Sequence, residues 1–281
     1  MADLDLPAWS EPFVSGGRNL RRPLRVRGVT RDWAWGGATG AGVRVAILDS
    51  GLERDHPALR GRVVESVAVE MVDGELRVVP DEAGDLFGHG TACGGIILGL
   101  APDAELVSVR VLGADLRGKG TAFAAGLRWA IDQGLAVANL SLSSKSESLY
   151  PVFHELVDDA YFHGIALVSA ANNVAAPSYP SLFSSVFSVA AHAQRDPWRF
   201  YYNPAPPVEF GAWGVDVPIA WKGGSSMVAT GNSFAAPHIA GIVALILSKH
   251  PGLAPFEVKA VLASVADNPR RRSRARRERP A

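Results

Sequence analysis

The sequence has a single cysteine, no long apolar run and no net charge. Its 281 residues hold 28 Asp+Glu against 28 Lys+Arg. One cysteine cannot form a disulfide within the chain, which excludes a disulfide scaffold and fits a reducing compartment. Balanced charge gives no general attraction to nucleic acid or to a membrane surface. We therefore predict no nucleic-acid partner and no membrane partner.

Features that direct a chain to a membrane are also missing. No apolar segment approaches the roughly 20 residues of a bilayer-spanning helix. In residues 1–17 acidic residues precede any base, and no apolar region of signal-peptide length follows. These observations predict a cytoplasmic protein, unless an export signal has been removed. With 48% hydrophobic residues, the chain is long enough for one large domain, and a second full domain is not expected.

Composition divides the chain into three regions. Proline and glycine interrupt residues 1–40 throughout, which predicts an irregular N-terminal arm laid on the body or, alternatively, partly ordered surface chain. Candidate anchors for this arm are Trp9, Trp33 and Trp35. Residues 41–267 form the main domain. Residues 268–281 carry an arginine-rich run that is typical of a solvated, disordered tail, with binding of nucleic acid or of an acidic partner as the lesser alternative.

Strand and helix patterns alternate along the main domain. Short apolar runs at 43–49, 106–112, 136–141, 165–170 and 186–191 predict buried strands, and 121–133 and 150–163 predict helices between them. This order favours an α/β fold with a mostly parallel central sheet flanked by helices. The alternating segment 62–79 around Asp73-Gly74 predicts a small hairpin, and Pro255 with Glu257 marks the start of a last helix.

Two candidate catalytic side chains lie in the first half of the chain. Asp49 closes an apolar strand and would stand at the carboxyl edge of the sheet, where ligands gather, although a turn or cap role is the alternative. His89 lies between two glycines at a strand-to-helix junction, which favours function over a structural role. Cys93 follows one helical turn later; it is a conceivable nucleophile, but a small buried cysteine is the commoner case.

Two further candidates lie in the second half. Asn173 follows a predicted strand, where its amide could donate to a developing oxyanion, although Asn172-Asn173 is also a turn signal. Ser233 stands among small residues before the apolar run 239–247, which predicts a hydroxyl on the first turn of a buried helix. A serine needs a histidine base and a carboxylate to become a good nucleophile. Ser233 therefore requires partners from elsewhere in the chain.

Three ordered sequence blocks carry a resemblance to a known family. Residues 47–51 (ILDSG), 88–91 (GHGT) and 231–241 (GNSFAAPHIAG) resemble the signature blocks of the subtilisin-like serine proteases, the subtilase or peptidase S8 family. The chain order Asp, His, Ser is that of subtilisin and differs from the order in α/β-hydrolases. The similarity extends over about residues 43–266 and implies the three-layer subtilisin-like fold.

The resemblance implies a role for each candidate. Ser233 would be the nucleophile, His89 the general base and then acid, and Asp49 the carboxylate that orients the imidazole. Asn173 would form the oxyanion hole with the Ser233 backbone N–H. The implied substrate-binding residues, which flank a peptide backbone or line the specificity pocket, are Ser141, Leu142, Ser143, Gly118, Lys119 and Ser178.

The sequence departs from the family pattern around this site. Asn232 and Phe234 stand on either side of Ser233 where threonine and methionine are usual, and Asn172 replaces a glycine. Serines stand in place of pocket glycines, which should narrow the specificity pocket; they are Ser143, Ser144 and Ser178.

The tight calcium site of the family also lacks its expected acidic residue, since Ala58 and Leu59 follow His56-Pro57. The loop after the histidine helix is too short for it as well. We predict no cofactor and no essential metal.

The sequence thus predicts a serine endopeptidase that processes a restricted peptide or protein substrate inside the cell. One variant is a maturation enzyme that removes a leader peptide or transfers the acyl group to an amine. A second class is a non-catalytic subtilase-like module that holds a peptide, which retention of Asp49, His89, Asn173 and Ser233 argues against. An esterase of α/β-hydrolase order and a cysteine enzyme built on Cys93 are lesser alternatives.

Overall fold

A nine-stranded sheet runs through the centre of the protein. The computed structural model describes residues 6–14, 16–17, 20, 26–205 and 207–269. The strands of this sheet are β1 (Arg44–Asp49), β2 (Val63–Val72), β3 (Glu75–Pro80), β4 (Glu105–Arg110), β5 (Val137–Leu140), β6 (Ala166–Ala170), β7 (Phe187–His192), β8 (Tyr201–Tyr202) and β9 (Phe210–Trp213). A separate two-stranded hairpin consists of β10 (Val217–Trp221) and β11 (Ser225–Ala229).

The sheet is parallel except at its two edges. Its strand order is β3-β2-β4-β1-β5-β6-β7-β9-β8, and only the β2/β3 and β8/β9 pairs are antiparallel. The β2/β3 pair is the predicted hairpin: Asp73 and Gly74 form its turn with φ angles of 52° and 83°, as a two-residue turn of the hairpin type requires. Because the inner strands are parallel, their carboxyl ends meet at one edge of the sheet.

Helices cover both faces of the sheet. The helices are α1 (Glu11–Val14), α2 (Arg31–Trp35), α3 (His89–Leu100), α4 (Gly120–Asp132), α5 (Tyr150–Phe162), α6 (Asn232–Lys249) and α7 (Pro255–Val265). Strand β1 is apolar from Val45 to Leu48 because helices cover both of its faces. Val45 and Ile47 join the core beneath α3 and α6, whereas Ala46 and Leu48 join the core beneath α4 and α5. The predicted three-layer α/β fold is confirmed.

Helix α6 is the most deeply buried of the described helices. All its residues from Asn232 to Leu247 are buried, and a helix that is apolar on every side belongs inside a protein. Gly241 permits close packing on α3, because a Cβ there would lie 3.1 Å from Leu100 Cβ. Ser233 lies on the first turn of this buried helix, as the sequence predicted.

The N-terminal region is more regular than predicted. It contains two short helices, α1 and α2, of which α2 begins after Thr30, whose side chain accepts a hydrogen bond from the Trp33 N–H. Trp35 is buried, whereas the Trp33 ring is more exposed and stacks on His250 with ring centroids 4.2 Å apart. The domain limits stay predictions, and residues 270–281 of the tail lie outside the described residues. Within the described ranges, no helix is long and apolar enough to cross a membrane.

Candidate active site

Asp49 and His89 form a direct pair at the carboxyl edge of the sheet. Asp49 is the last residue of β1, and its fully buried carboxylate lies 2.8 and 2.9 Å from His89 Nδ1. A carboxylate can only accept, so Nδ1 carries the hydrogen and Nε2 is left with a free lone pair. That is the tautomer that a general base needs. The Ser50 N–H also donates to Asp49 Oδ1, at 2.7 Å, which fixes the carboxylate plane.

Glycines bring the histidine helix close to β1. His89 is the first residue of α3, and Gly88 before it has a φ of 119°, in the region that favours glycine. A Cβ on Gly90 would overlap the carbonyl oxygen of Gly51. The small residues around His89 therefore set its distance from Asp49.

Opposing influences set the protonation of His89. Burial is the largest single influence and acts to lower the pKa of His89, but the charge and hydrogen bond of Asp49, together with the neighbouring Cys93, hold this pKa well above the ordinary 6.5. The pair therefore stabilises the imidazolium form. This property suits a group that must take a proton during a reaction and return it.

Ser233 lies on the first turn of α6, where a proline rearranges the backbone hydrogen bonds. Pro237 has no N–H and cannot donate to the carbonyl four residues earlier, which is that of Ser233. The hydroxyl of Ser141 donates to this carbonyl instead, at 2.9 Å. Asn139 Nδ2 in turn donates to Ser141 Oγ, also at 2.9 Å. The position of Ser233 is thereby tied to the end of β5.

Asn173 and Ser233 face the same small space beside Gly231. A Cβ built on Gly231 would lie 3.1 Å from Ser233 Oγ and 3.7 Å from Asn173 Nδ2. Asn173 Oδ1 accepts from the Asn232 N–H at 2.9 Å, so its Nδ2 hydrogens point away from that bond. Amide donors and backbone N–H groups of a helix start, aimed at one space, can stabilise a developing negative charge.

Cys93 lies beneath this arrangement. Its Sγ is 3.3 Å from Ser141 Oγ, 3.6 Å from the Ser233 carbonyl oxygen and 3.8 Å from Asp49 Oδ2. Burial raises the pKa of the Cys93 thiol, which disfavours the thiolate that a cysteine nucleophile requires. Donor atoms of Asp49, His89 and Cys93 all lie within 4.8 Å of one another. Those of Asp49 and His89 already bond to each other, so the cluster is better described as a hydrogen-bonded pair with a thiol beside it.

The predicted substrate-binding segments lie next to each other. A Cβ on Gly120 would lie 3.3 Å from Ser144 Oγ, so the stretch with Gly118 and Lys119 adjoins the one with Ser141, Leu142 and Ser143. Gly118 and Lys119 are exposed, whereas the Ser141 side chain is turned inward to Ser233.

The predicted pocket residue Ser178 lies beside this pair of segments. Ser144 and Tyr179 exchange backbone hydrogen bonds of 2.8 Å in both directions. This bridge brings Ser178, which is buried, next to the stretch that ends at Ser144.

Asp85 is a residue of the site that the sequence analysis missed. Its buried carboxylate accepts from the Ser50 hydroxyl at 2.7 Å and from the N–H groups of Phe87 and Gly88. The other oxygen accepts from the backbone and hydroxyl of Thr91, at 2.8 and 2.6 Å. Asp85 thus fixes the loop that presents His89. Its position just before a helix start was the available signal.

Asn232 was also missed, because it was interpreted only as a departure from the family pattern. It is fully buried. Its Oδ1 accepts from the Ala191 N–H at 2.8 Å, and its Nδ2 donates to the carbonyls of Ala171 and Asn172 at 3.1 and 3.3 Å. Together with its backbone bond to Asn173 Oδ1, these contacts join the residue before Ser233 to β7 and to the end of β6.

Comparison with known proteins gives a consistent result. Residues 40–278 match the model of the Subtilase family. Subtilisin BL of Lederbergia lenta is 35% identical over 243 residues, covering 82% of this chain and 85% of that protein. Thermitase of Thermoactinomyces vulgaris is 32% identical over 246 residues, covering 83% of this chain and 84% of that protein. M-protease of Shouchella clausii is 35% identical, and the match covers 82% of this chain but 60% of that protein.

A solved structure agrees with these matches. The crystal structure of a cold adapted subtilisin-like serine proteinase superposes with a TM-score of 0.66 at 27% identity, covering 81% of this chain and 83% of the other. The family resemblance inferred from the three sequence blocks is thereby confirmed. The chain belongs to the subtilase family of subtilisin-type serine proteases.

Proposed function

We propose that this protease cuts a restricted set of peptide or protein substrates with Ser233 as nucleophile, His89 as base and Asp49 as the orienting carboxylate. The observation that carries the assignment is the Asp49–His89 pair, at 2.8 Å, on the edge of the sheet where Ser233 and Asn173 face one space. Loss of any member of such a triad removes most of the catalytic rate.

The proposed reaction has two stages, acylation of Ser233 and hydrolysis of the acyl-enzyme. Ser233 Oγ attacks the scissile carbonyl carbon while His89 Nε2 takes the hydroxyl proton, and Asp49 stabilises the resulting imidazolium. The carbonyl oxygen becomes an oxyanion that accepts from Asn173 Nδ2 and the Ser233 N–H. His89 then returns the proton to the leaving amine as the acyl-enzyme forms. A water molecule, activated by His89, attacks the ester carbonyl and releases the acid product and free Ser233.

Restricted specificity is supported by the residues near the predicted pocket. Ser143, Ser144 and Ser178 carry side chains where the family pattern has glycine. The Ser178 hydroxyl is buried and lies 3.1 Å from Ser181 Oγ. Added side chains reduce the volume that a substrate side chain can enter, so we expect selection for small residues at the cleaved bond.

The test is cleavage of a diverse peptide mixture by the wild type and by Ser233→Ala, read as new termini by mass spectrometry. We expect cleavage only with the wild type and a narrow preference at the cleaved bond. A broad preference contradicts the restricted-substrate proposal, and cleavage that persists in Ser233→Ala favours a nucleophile such as Cys93. An added amine that appears at new carboxyl termini would identify acyl transfer.

A non-catalytic peptide-binding module is the alternative from a different class. An active-site phosphonate labels an activated serine irrespective of the peptide sequence that the pocket prefers. We expect labelling of Ser233 in the wild type and none in His89→Ala. Absence of labelling together with peptide binding would favour the binding module.

A cytoplasmic location stays a proposal, supported by the single, buried cysteine. Cell fractionation tests it: the protein should be found with cytosolic markers, and recovery from the culture medium would contradict it.

A further inference from the structure

A segment near the N-terminus is anchored against the body of the protein by an aromatic side chain. We call residues 6–14 the arm segment. Phe13, in its short helix α1, is fully buried in a cluster with Ala171 and Tyr201. Gly211 of β9 leaves room for the ring, because a Cβ at that position would overlap it. The arm segment is therefore packed into the core at Phe13.

The same segment is hydrogen-bonded to both asparagines next to the nucleophile. The Ala8 N–H donates to the carbonyl of Asn173 at 3.0 Å. Asn232 Nδ2 donates to the carbonyl of Ala8 at 3.1 Å. The Ala8 backbone thus bonds through its N–H to Asn173, whose amide is the predicted oxyanion donor, and through its carbonyl to Asn232, which precedes Ser233.

These bonds bear on the orientation of the Asn173 amide. Asn173 Oδ1 is held by the Asn232 N–H, so the direction of the Nδ2 hydrogens depends on where Asn232 lies. Asn232 Oδ1 accepts from the Ala191 N–H, and the two Nδ2 hydrogens are shared among the carbonyls of Ala8, Ala171 and Asn172. An asparagine amide supplies the acceptor and the two donors for this set of partners. A threonine, with a single hydroxyl hydrogen, could not satisfy it.

We propose that the arm segment is a latch that positions the oxyanion hole: docking of Phe13 and Ala8 fixes Asn232 and, through it, the Asn173 amide. Ala8 and Phe13 touch no reacting atom and are positioning residues. The proposal rests on the catalytic assignment of Asn173 and Ser233 above. It predicts that loosening the arm segment weakens stabilisation of the transition state more than it weakens substrate binding.

The test weakens docking of the arm segment by a change in the segment itself and, separately, by a change in the body of the protein. Phe13→Ala removes the anchor, and Gly211→Ala displaces it from the body without changing the arm segment. Loss of a whole oxyanion donor costs about 10²–10³ in kcat, so misplacement of the Asn173 amide is expected to cost about tenfold, with KM changed by less than about twofold. The matched control is Phe153→Ala, because Phe153 is equally buried but lies in the core beneath α4 and α5. All variants are assayed well below their melting midpoints.

A double-variant cycle separates positioning from general loosening. If Phe13 acts through Asn173, Phe13→Ala should lower kcat in the wild type but hardly change it in Asn173→Ala, where no amide is left to misplace. The proposal is overturned if kcat is unchanged in both Phe13→Ala and Gly211→Ala. It is also overturned if Phe153→Ala loses as much kcat as these variants, or if the effects of Phe13→Ala and Asn173→Ala on kcat are additive in the double variant. A wild type that neither cleaves peptides nor reacts with phosphonate overturns the catalytic assignment itself, which is a different result.

Discussion

The hydroxyl of Ser141 donates to the backbone carbonyl of Ser233 at 2.9 Å, in the place of the helical N–H that Pro237 lacks. The bond joins the carboxyl end of β5 to the first turn of the helix that carries the nucleophile. It explains how a proline can stand one turn into a buried helix, since the orphaned carbonyl has a partner. The peptide that follows the nucleophilic side chain is held by a neighbouring strand.

We therefore expect Ser141→Ala to lower both stability and activity. The Ser233 carbonyl would keep only the weak thiol donor of Cys93, at 3.6 Å. Loss of the stronger donor at a buried carbonyl costs about 1–3 kcal/mol in the free energy of unfolding, and a less fixed Ser233 should lower kcat. The control is Ser169→Ala, because Ser169 Oγ is buried without a hydrogen-bond partner among the described residues. That change should leave the urea midpoint unchanged or raise it. Equal losses in the two variants would contradict the role of the Ser141 hydroxyl.

The pH dependence of activity should report the Asp49–His89 pair. Burial acts to lower the pKa of His89, but Asp49 and the neighbouring Cys93 together hold it well above 6.5, so the neutral base forms only at higher pH. Activity should therefore rise with pH through a midpoint above that of free histidine. A midpoint in kcat/KM at or below 6.5 would contradict this assignment.

Asp49→Asn should change both the rate and this midpoint. Loss of the orienting carboxylate costs roughly 10⁴ in kcat in a serine protease triad. The midpoint of the remaining activity should move to lower pH, because burial then acts on His89 without the opposing charge. Rates of phosphonate inactivation across the pH range measure both effects, and an unchanged midpoint would show that Asp49 does not control His89.

Asp85→Asn should disturb the presentation of His89. The asparagine offers one acceptor oxygen and turns its NH₂ toward donors on Gly88 or Thr91. Leaving such buried groups unpaired costs about 1–3 kcal/mol in stability, and kcat should fall with it. The control is Asp73→Asn at the exposed turn of the β2/β3 hairpin, which should change stability by less than about 0.5 kcal/mol. The two urea midpoints, read beside kcat, distinguish a local role of Asp85 from a general effect of removing a charge.

The fold could be predicted from the sequence because its signals are local. The strand over 43–49 shows the continuous apolar run of a doubly covered strand, and the Asp73-Gly74 turn shows the residues that a tight hairpin prefers. Short helices in a region rich in proline and glycine give almost no periodic signal. Helix α2 was missed for this reason, although Thr30 is an N-cap residue.

Several supporting contacts of the site could not be predicted, since they join distant parts of the chain. Asn232 and Ala8 are 224 residues apart, and no local pattern indicates that bond. Asp85 is a mixed case, because Phe87, Gly88 and Thr91 lie within six residues of it, whereas its bond to the Ser50 hydroxyl spans 35 residues. By contrast, Asp49 and His89 each stand at the end of an element, so their meeting at one edge follows from the topology of a parallel sheet.

Removal of divalent cations should leave the enzyme unaffected. The family's acidic residue after His56-Pro57 is replaced by Ala58 and Leu59, and Leu59 is fully buried in the core. We expect EGTA to change the melting midpoint by less than about 1 °C, because ligand loss destabilises only a protein that holds the ligand in its folded state. A calcium-dependent rise in the midpoint after extensive chelation would show that a site exists and that the prediction of no essential metal is wrong.

His192 should make the folded state sensitive to mild acid. Burial lowers its pKa from 6.5 to about 4, and the neutral ring fits its partners, with Nε2 donating to the Arg199 carbonyl and Nδ1 accepting from the Gln194 N–H. Between about pH 4 and pH 6.5, His192 is protonated in the unfolded chain but neutral in the folded protein. The contribution of His192 to stability is therefore fully present above about pH 6.5 and falls by about 3 kcal/mol as the pH drops toward 4.

The His192 prediction is tested by urea unfolding at pH 7 and pH 4. His192→Gln should be less stable than the wild type at pH 7, yet it should lose less on acidification because this group no longer titrates. His154→Gln is the control, because His154 is exposed on α5, and it should keep the acid sensitivity of the wild type. If His192→Gln retained the full loss between the two pH values, the proton uptake would have to occur at other buried groups, of which His238 is the first to examine, since burial lowers its pKa to about 4 as well.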